Sequence, residues 1–401
     1  ITVFKMNDKI IERIKEFSED FFDEIREIRE HLHQNPELSF VEFETMKFVS
    51  QKLTEWKIPH ETEIAGTGIL GFIQGNHSKE TKHVVLRADL DALPILEQNE
   101  KTYTSIVPGV MHACGHDVHT SVLLGAAKIL KELENELDFP VQLLFQPGEE
   151  KAPGGASLMI AAGALKKRPV KSIFGLHVFP EMEVGIVGFR EGLYMASCDE
   201  LHFTVKGKGG HAALPENCID PIQAGAKLVS GLKKYIEERK KAGVPFILSI
   251  GHFEAIGATN IIPDSAEIKG TFRTMDEEWR AKALNWIQEY SNKIQAETGA
   301  IIDLNIVKGY PFLVNDEGTT KEQSTKAKQI LGDQNVKELE LRMTAEDFSF
   351  YSHKVPACFF RLGVRNEAKG IIFGVHHPKF DIDPNALKIG MQMMAVTAFK
   401  L

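Results

Sequence analysis

The stretch VQLLFQPGEEKAPGGASLMIAAGAL, residues 141–165, holds a strand, a turn and a helix in immediate succession. Val141 to Phe145 is an apolar run of strand length, Pro147 and Gly148 punctuate it, and Ala156 to Leu165 takes up a helical pattern. The alternation recurs on both sides, with apolar runs at Gly68 to Ile73, His83 to Leu86 and Ile173 to Leu176 and a helix after Asp117. That rhythm predicts an α/β layer with a mostly parallel sheet.

Further out the pattern changes. Upstream, Ile10, Ile14, Phe17, Phe21, Ile25, Ile28 and Leu32 recur at steps of three and four, which predicts one long amphipathic helix ending near Asn35. Downstream of Gly192, Leu201, Phe203 and Val205 alternate with polar residues, as in a strand with one buried face. A helix with Pro221 in its opening turn follows. Next come strands at Phe246 to Phe253 and Ser265 to Thr274, a helix from Glu277 to Glu297, and a strand at Ala300 to Val307. Strand, helix, strand, strand, helix, strand is the split ferredoxin-like order, compact enough to be an inserted domain. After Pro311 the α/β pattern resumes, through Cys358 to Leu362 and a terminal helix containing Met391 to Ala398. The expectation is a discontinuous α/β domain, 1–193 and 310–401, interrupted by an α+β domain at 194–309.

Composition bounds the function. At 401 residues two domains are the default, and 43% apolar and 26% charged residues are ordinary for a globular chain. A formal charge of -9, from 47 Lys+Arg against 56 Asp+Glu, argues against phosphate-backbone binding, so no nucleic-acid partner is expected. Apolar runs are too short to span a membrane, and no secretory leader is visible. Cys114, Cys198, Cys218 and Cys358 show no C-x-x-C spacing, which fits a reducing, cytoplasmic setting. The chain opens at Ile1, and Met6 is a candidate natural start.

Polar clusters fall where the predicted strands end. VVLRADLDALP ends on Asp89 and Asp91, VQLLFQPGEE on Glu149 and Glu150, SIFGLHVFP on His177, and FGVHHPKF on His376 and His377. The stretch MHACGHDVH sets His112, Cys114, His116, Asp117 and His119 at the mouth of a helix. Each has a bland reading: Asp117 as an N-cap, the Glu pair as solvated surface, a strand-end His as a hydrogen-bonded structural group. Four clusters at strand ends of one predicted sheet, with a fifth at a helix mouth, are harder to dismiss, because such sheets place their sites there. Thiol, imidazole and carboxylate together are the ligand set of zinc and neighbouring divalent metals. A Cys114 thiol nucleophile with a histidine base is the other option. In the small domain Arg273 projects from the polar face of its strand, either as a solvated surface arginine or as a guanidinium that would suit a substrate carboxylate.

The motifs RxxLHxxPELSFxE (Arg29 to Glu42), RADLDALP, MHACGHDVH, FQPGEE, GLHVFP, GKGGHAALP, TNIIPDSAEIKGTFRT, TAEDFSFY and VHHPKF occur in that order. From about residue 25 to the C-terminus the chain resembles the N-acyl-amino-acid amidohydrolases. These are the hippurate-hydrolase and auxin-conjugate-hydrolase branch of the aminoacylase and carboxypeptidase-G-like metallopeptidases. The resemblance implies a metallopeptidase catalytic domain with an inserted lid and dimerisation domain. It also implies two divalent ions, zinc or manganese, held by Cys114, His116, Glu150, His177 and His376, with Glu149 as general base. His211 and Asn260 would reach an active site, commonly that of the partner subunit in a homodimer. Where relatives elsewhere carry His-x-Asp this chain has Asp89-Leu90-Asp91, so Asp89 is in question as a ligand and Asp91 is read as orienting a ligating histidine. His377 could replace His376, though the His-x-Pro pattern favours His376.

The expected reaction is hydrolysis of the amide of an N-acetyl or N-benzoyl amino acid. Glu149 moves the proton, and His211 and a metal stabilise the oxyanion. A metallo-exopeptidase acting on dipeptides or a C-terminal residue is the alternative. A catalytically silent metal- or amino-acid-binding protein is the alternative of another class.

Overall fold

The computed structural model describes residues 6–75 and 78–401. It contains two compact units: one takes the chain up to Tyr194 together with Val314–Glu340 and Asp347–Leu401, the other Met195–Leu313 and Leu341–Glu346. The short segment Leu341–Glu346, which the sequence reading left with the α/β domain, groups with the smaller unit.

The larger unit is an α/β layer. Its strands are β1 (His60–Ile64), β2 (Gly68–Ile73), β3 (His83–Asp89), β4 (Val141–Gln146), β5 (Val170–Glu183), β6 (Val187–Phe189), and two later ones, Val336–Glu338 and Ala357–Arg365. They form one sheet in the order β1, β2, β4, β3, β5, 357–365, β6, 336–338. The four central strands are mutually parallel, and antiparallel pairs flank them. β2, β3 and β4 are buried along their whole length, which explains their unbroken apolar runs.

Helices α1 (Asp8–Asp20), α2 (Phe22–Gln34), α3 (Phe43–Glu55), α4 (His116–Glu132) and α5 (Gly155–Ala161) follow the sheet, with Glu317–Leu331 and Asn385–Ala395 later in the chain. α4 packs on β3, α2 and Asn385–Ala395. The single long first helix is two, divided at Phe21. Phe21 keeps near-helical angles (φ -92°, ψ -3°), so the apolar stripe carries across the break and hides it from periodicity. Asp117 is not the N-cap of α4. Gly115 occupies that position at φ +86°, a conformation glycine adopts without strain, and Asp117 lies within the first turn.

The smaller unit contains an antiparallel sheet in the order Phe246–Glu254, Ser265–Thr274, Asp199–Lys206, Ile301–Lys308. Helices Pro221–Glu237 and Glu277–Thr298 complete the split ferredoxin-like order. Leu201, Phe203 and Val205 share its core with Leu228, Leu232, Phe272, Trp279 and Ile287. No helix among the described residues is long and apolar enough to cross a membrane.

Candidate active site

β3, β4 and β5 run parallel, so the segments that leave their carboxyl ends emerge on one edge of the sheet. β3 ends at Asp89, and β4 ends at Gln146, three residues before Glu149. His177 is not at a strand end, because β5 continues to Glu183. It lies just past the last β3 residue that pairs with β5 (Arg87 with Gly175), so it overhangs the edge and its polar side chain reaches the site.

Cys114 Sγ lies 3.4 Å from His177 Nε2. His177 donates its Nδ1 proton to the carbonyl of Val178 (2.8 Å), which leaves Nε2 as the lone-pair nitrogen facing the thiol. His116 does the same with Asp91: its Nδ1 donates to the backbone carbonyl at 2.8 Å and lies 3.2 Å from Oδ1. Among the described residues its buried Nε2 has no hydrogen-bond partner, and neither has Glu150 Oε1. Glu150 Oε1 faces His376 Nε2 at 3.3 Å. The donor atoms of Cys114, His116 and His177 lie within 4.8 Å of one another, as do those of Cys114, Glu150 and His376, and those of His116, Glu149 and Glu150.

Buried lone pairs without donors, a thiol, imidazoles and a carboxylate are what a divalent cation needs, and the five residues Cys114, His116, Glu150, His177 and His376 fit such a group. Burial, and then the Glu150 charge, push the Cys114 thiol well above its ordinary value. That direction disfavours a free thiolate and so weighs against Cys114 as a nucleophile, whereas a coordinated cation would itself deprotonate the thiol. Burial, reinforced by Arg361, lowers His177 well below its ordinary value, toward the neutral form a ligand needs, while the charges of Asp89 and Cys114 raise His116 despite its burial.

Asp89 at the end of β3 and His377 leave the ligand question, and the run before His376 and His377 is not a strand but a loop that follows Ala357–Arg365. Asp89 accepts from His119 Nδ1 on Oδ1 (2.6 Å) and from Arg87 Nη1 on Oδ2 (2.7 Å), so both of its oxygens are engaged. His119 accepts the Val178 N–H on Nε2 (3.0 Å), so both of its nitrogens are used within the protein. His377 accepts the Lys379 N–H on Nδ1 and stacks on Phe373. His376 is held at φ +65° with its N–H on the Ala113 carbonyl (2.7 Å), an uncommon conformation that ties this loop to the segment bearing Cys114. His112 is buried with neither ring nitrogen partnered, and burial lowers its pKa to about 4.

Asp91 does more than orient His116. Its Oδ1 accepts the Glu149 N–H and its Oδ2 the Glu150 N–H, both at 3.0 Å, and Ser39 Oγ donates to Oδ2 at 2.6 Å. In the smaller unit, Gly210–His211 pairs with Ile261–Ile262, and Ala212 donates to the Asn260 carbonyl (3.0 Å), which sets His211 beside Asn260. His211 accepts the Ala213 N–H on Nδ1 (3.1 Å), so the neutral ring presents Nε2–H as a donor. Arg273 is half-buried and donates to the Met343 carbonyl (3.1 Å).

Sequence reasoning missed the buried groups behind the site. Arg87 bridges Asp89, Asp347 and Gln146. Arg29 donates to Asp117 and Asp381, while His33 places one ring nitrogen on Asp117 and the other on Glu97. The available signal was that Arg29, His33, Arg87 and Asp347 fall inside the RxxLHxxPELSFxE, RADLDALP and TAEDFSFY motifs, Gln146 inside FQPGEE and Asp117 inside MHACGHDVH, whereas Glu97 and Asp381 lie outside all of them.

Residues 85–400 match the model of peptidase family M20/M25/M40. The chain is 38% identical over 94% of its length, and 86% of the other's, to an Arabidopsis thaliana protein named IAA-amino acid hydrolase ILR1-like 4. It is 37% identical over 98% of both lengths to thermostable carboxypeptidase 2 of Saccharolobus solfataricus. A Bacillus subtilis structure described as a dinuclear metal binding peptidase superposes with a TM-score of 0.79 at 33% identity, covering 95% of this chain and 98% of that one. By sequence along nearly its whole length and by fold, the chain belongs to peptidase family M20/M25/M40.

Proposed function

We propose that this protein hydrolyses the amide bond of N-acyl amino acids, releasing a carboxylic acid and a free amino acid, with two divalent ions per subunit. The observation that carries the reading is the Glu149-Glu150 turn, pinned by Asp91 beside the donors of Cys114, His116, His177 and His376. Those four residues and Glu150 would hold the metals, and zinc or manganese suits the set. Ions bound there would lower the pKa of a water and polarise the scissile carbonyl.

Glu149, beside Glu150 but outside the ligand set, takes the proton of the attacking water and returns it to the departing amine nitrogen. His211 donates from Nε2 to the developing oxyanion, a role in which one lost donor typically costs about 10² to 10³ in rate. Asn260 and Arg273 bind substrate, the guanidinium gripping its carboxylate. The protein works as a cytoplasmic homodimer through the inserted unit, and subunit mixing decides whether His211 serves its own site or the partner's. Four free cysteines are in keeping with a reducing compartment.

The likeness to a carboxypeptidase favours one second reading, a metallo-exopeptidase, since a dipeptide presents the same amide and carboxylate. A panel of N-acetyl and N-benzoyl amino acids against dipeptides, run beside metal analysis, separates the two. Turnover of the acyl compounds at least tenfold above the dipeptides is expected, and the reverse order refutes the proposal.

A further inference from the structure

Three consecutive N–H groups of the turn that carries Glu149 end on two buried carboxylates. Glu149 and Glu150 donate to Asp91, and Gly148 donates to Glu42 Oε1 at 2.8 Å, a residue 106 positions earlier in the chain. Glu42 is fully buried, and a buried carboxylate is costly unless donors surround it. It has three: Gly148, the Phe40 N–H on Oε1 (2.9 Å) and Thr67 Oγ1 on Oε2 (2.6 Å).

Its own helix does not need it. Glu42 precedes α3 without capping it, and Glu37 accepts the N–H groups of Glu44 and Thr45 instead. The ring of Phe40 also covers the turn: Gly148 sits at φ +54°, and a Cβ there would lie 2.3 Å from Phe40 Cε1. The adjoining Ser39 donates to Asp91. The PELSFVE segment therefore grips the turn at Gly148 directly and at Glu149 and Glu150 through Asp91.

We propose that Glu42 is a positioning residue, which with Asp91 fixes the Gly148–Glu150 turn and so sets the aim of the Glu149 carboxylate at the attacking water. This rests on the reading of Glu149 as general base. Misplacing a reacting group by about 1 Å can cost on the order of 10² in rate.

The test uses the metal-loaded enzyme and the best acyl substrate of the panel. Glu42→Ala is expected to lower kcat about ten- to a hundredfold with KM within about threefold, and with metal per chain unchanged by elemental analysis. Glu42→Gln keeps a carbonyl oxygen for Gly148 and Phe40, and its amide can donate to Thr67 Oγ1, so most of the rate should return. Equal damage in the Gln and Ala variants, a wild-type kcat in folded Glu42→Ala, or metal lost in step with activity overturns the inference. If Glu42→Ala does not fold, the near-isosteric Thr67→Val decides: a several-fold lower kcat supports it and a wild-type kcat overturns it. Glu149→Gln runs alongside. An active Glu149→Gln removes the general-base reading, whereas an inactive one beside a fully active Glu42→Ala removes the Glu42 role alone.

Discussion

Replacing Asp91 by asparagine keeps the shape of the side chain and removes one acceptor. The carboxylate takes four donors, Glu149 N–H and His116 Nδ1–H on one oxygen, Ser39 Oγ–H and Glu150 N–H on the other. In one orientation the amide oxygen keeps Glu149 and His116 while its NH₂ meets the Glu150 N–H, and the Ser39 hydroxyl turns to accept. In the other the NH₂ faces the Glu149 N–H and crowds His116 Nδ1–H, whose proton stays on the Asp91 backbone carbonyl. The first is cheaper and still strands one buried donor, at about 1–3 kcal/mol. At about 1.4 kcal/mol per tenfold, that is roughly a five- to 150-fold loss. The range overlaps the ~10–100-fold cost of removing groups that orient metal ligands. With saturating metal, kcat/KM of Asp91→Asn should fall about ten- to a hundredfold, and the chelator concentration that halves activity should fall as well. Wild-type values for both would refute the account of Asp91.

Glu149→Gln should lose several orders of magnitude in turnover while keeping its metal, and mixing it with an inactive His211→Ala variant should restore part of the activity if the histidine serves the partner subunit. Recovery is read from the rate after subunit exchange, which size-exclusion of tagged chains verifies independently. Exhaustive chelation should abolish hydrolysis, and added zinc or manganese should restore it; undiminished catalysis in metal-free protein contradicts the mechanism. The His33 pair has a defined pH signature. Burial alone would lower the His33 pKa, but Asp117 and Glu97 outweigh it and raise the value above 6.5, while Arg29 and His33 hold Asp117 below 3.8 despite its burial. The raised histidine stabilises fully below 6.5 and loses its share as pH rises through the folded value, and the depressed aspartate contributes above 3.8. The penalty of His33→Gln, read as the loss in urea midpoint, should therefore be larger at about pH 5.5 than at about pH 8.5; a penalty independent of pH refutes the charged pair.

The α/β architecture is legible because fully buried strands write unbroken apolar runs, as in GILGFI and VQLLFQ, and the small unit is legible because half-buried strands alternate, as in DELHFTVK. What fails is local and geometric. The α1–α2 break leaves the stripe intact, and α4 starts at His116 after a Gly115 cap whose positive φ does not show in periodicity. The extension of β5 beyond His177 depends on its pairing with Ala357–Arg365, a partner more than 170 residues away, where Arg361 stands opposite His177. Arg29 to Asp117 and Arg87 to Asp347 are likewise contacts across 88 and 260 residues. No pattern in one segment names its partner in another.

The imidazoles of MHACGHDVH show why a ligand set is harder to read than a fold. His112, His116 and His119 are all buried and all sit beside the same thiol in sequence. What separates them is the state of the second ring nitrogen. His116 gives Nδ1–H to Asp91 and leaves Nε2 open, which prepares it to ligate. His119 gives Nδ1–H to Asp89 and accepts Val178 on Nε2, so it fastens β5 to the end of β3 and has nothing left for a cation. Holding His177 in register with Cys114 is the work that follows from that bond, because Val178 also takes the His177 Nδ1 proton on its carbonyl. One residue's two peptide groups thus serve a structural histidine on one side and a ligating one on the other, and the roles assigned to His119 and His177 stand or fall together.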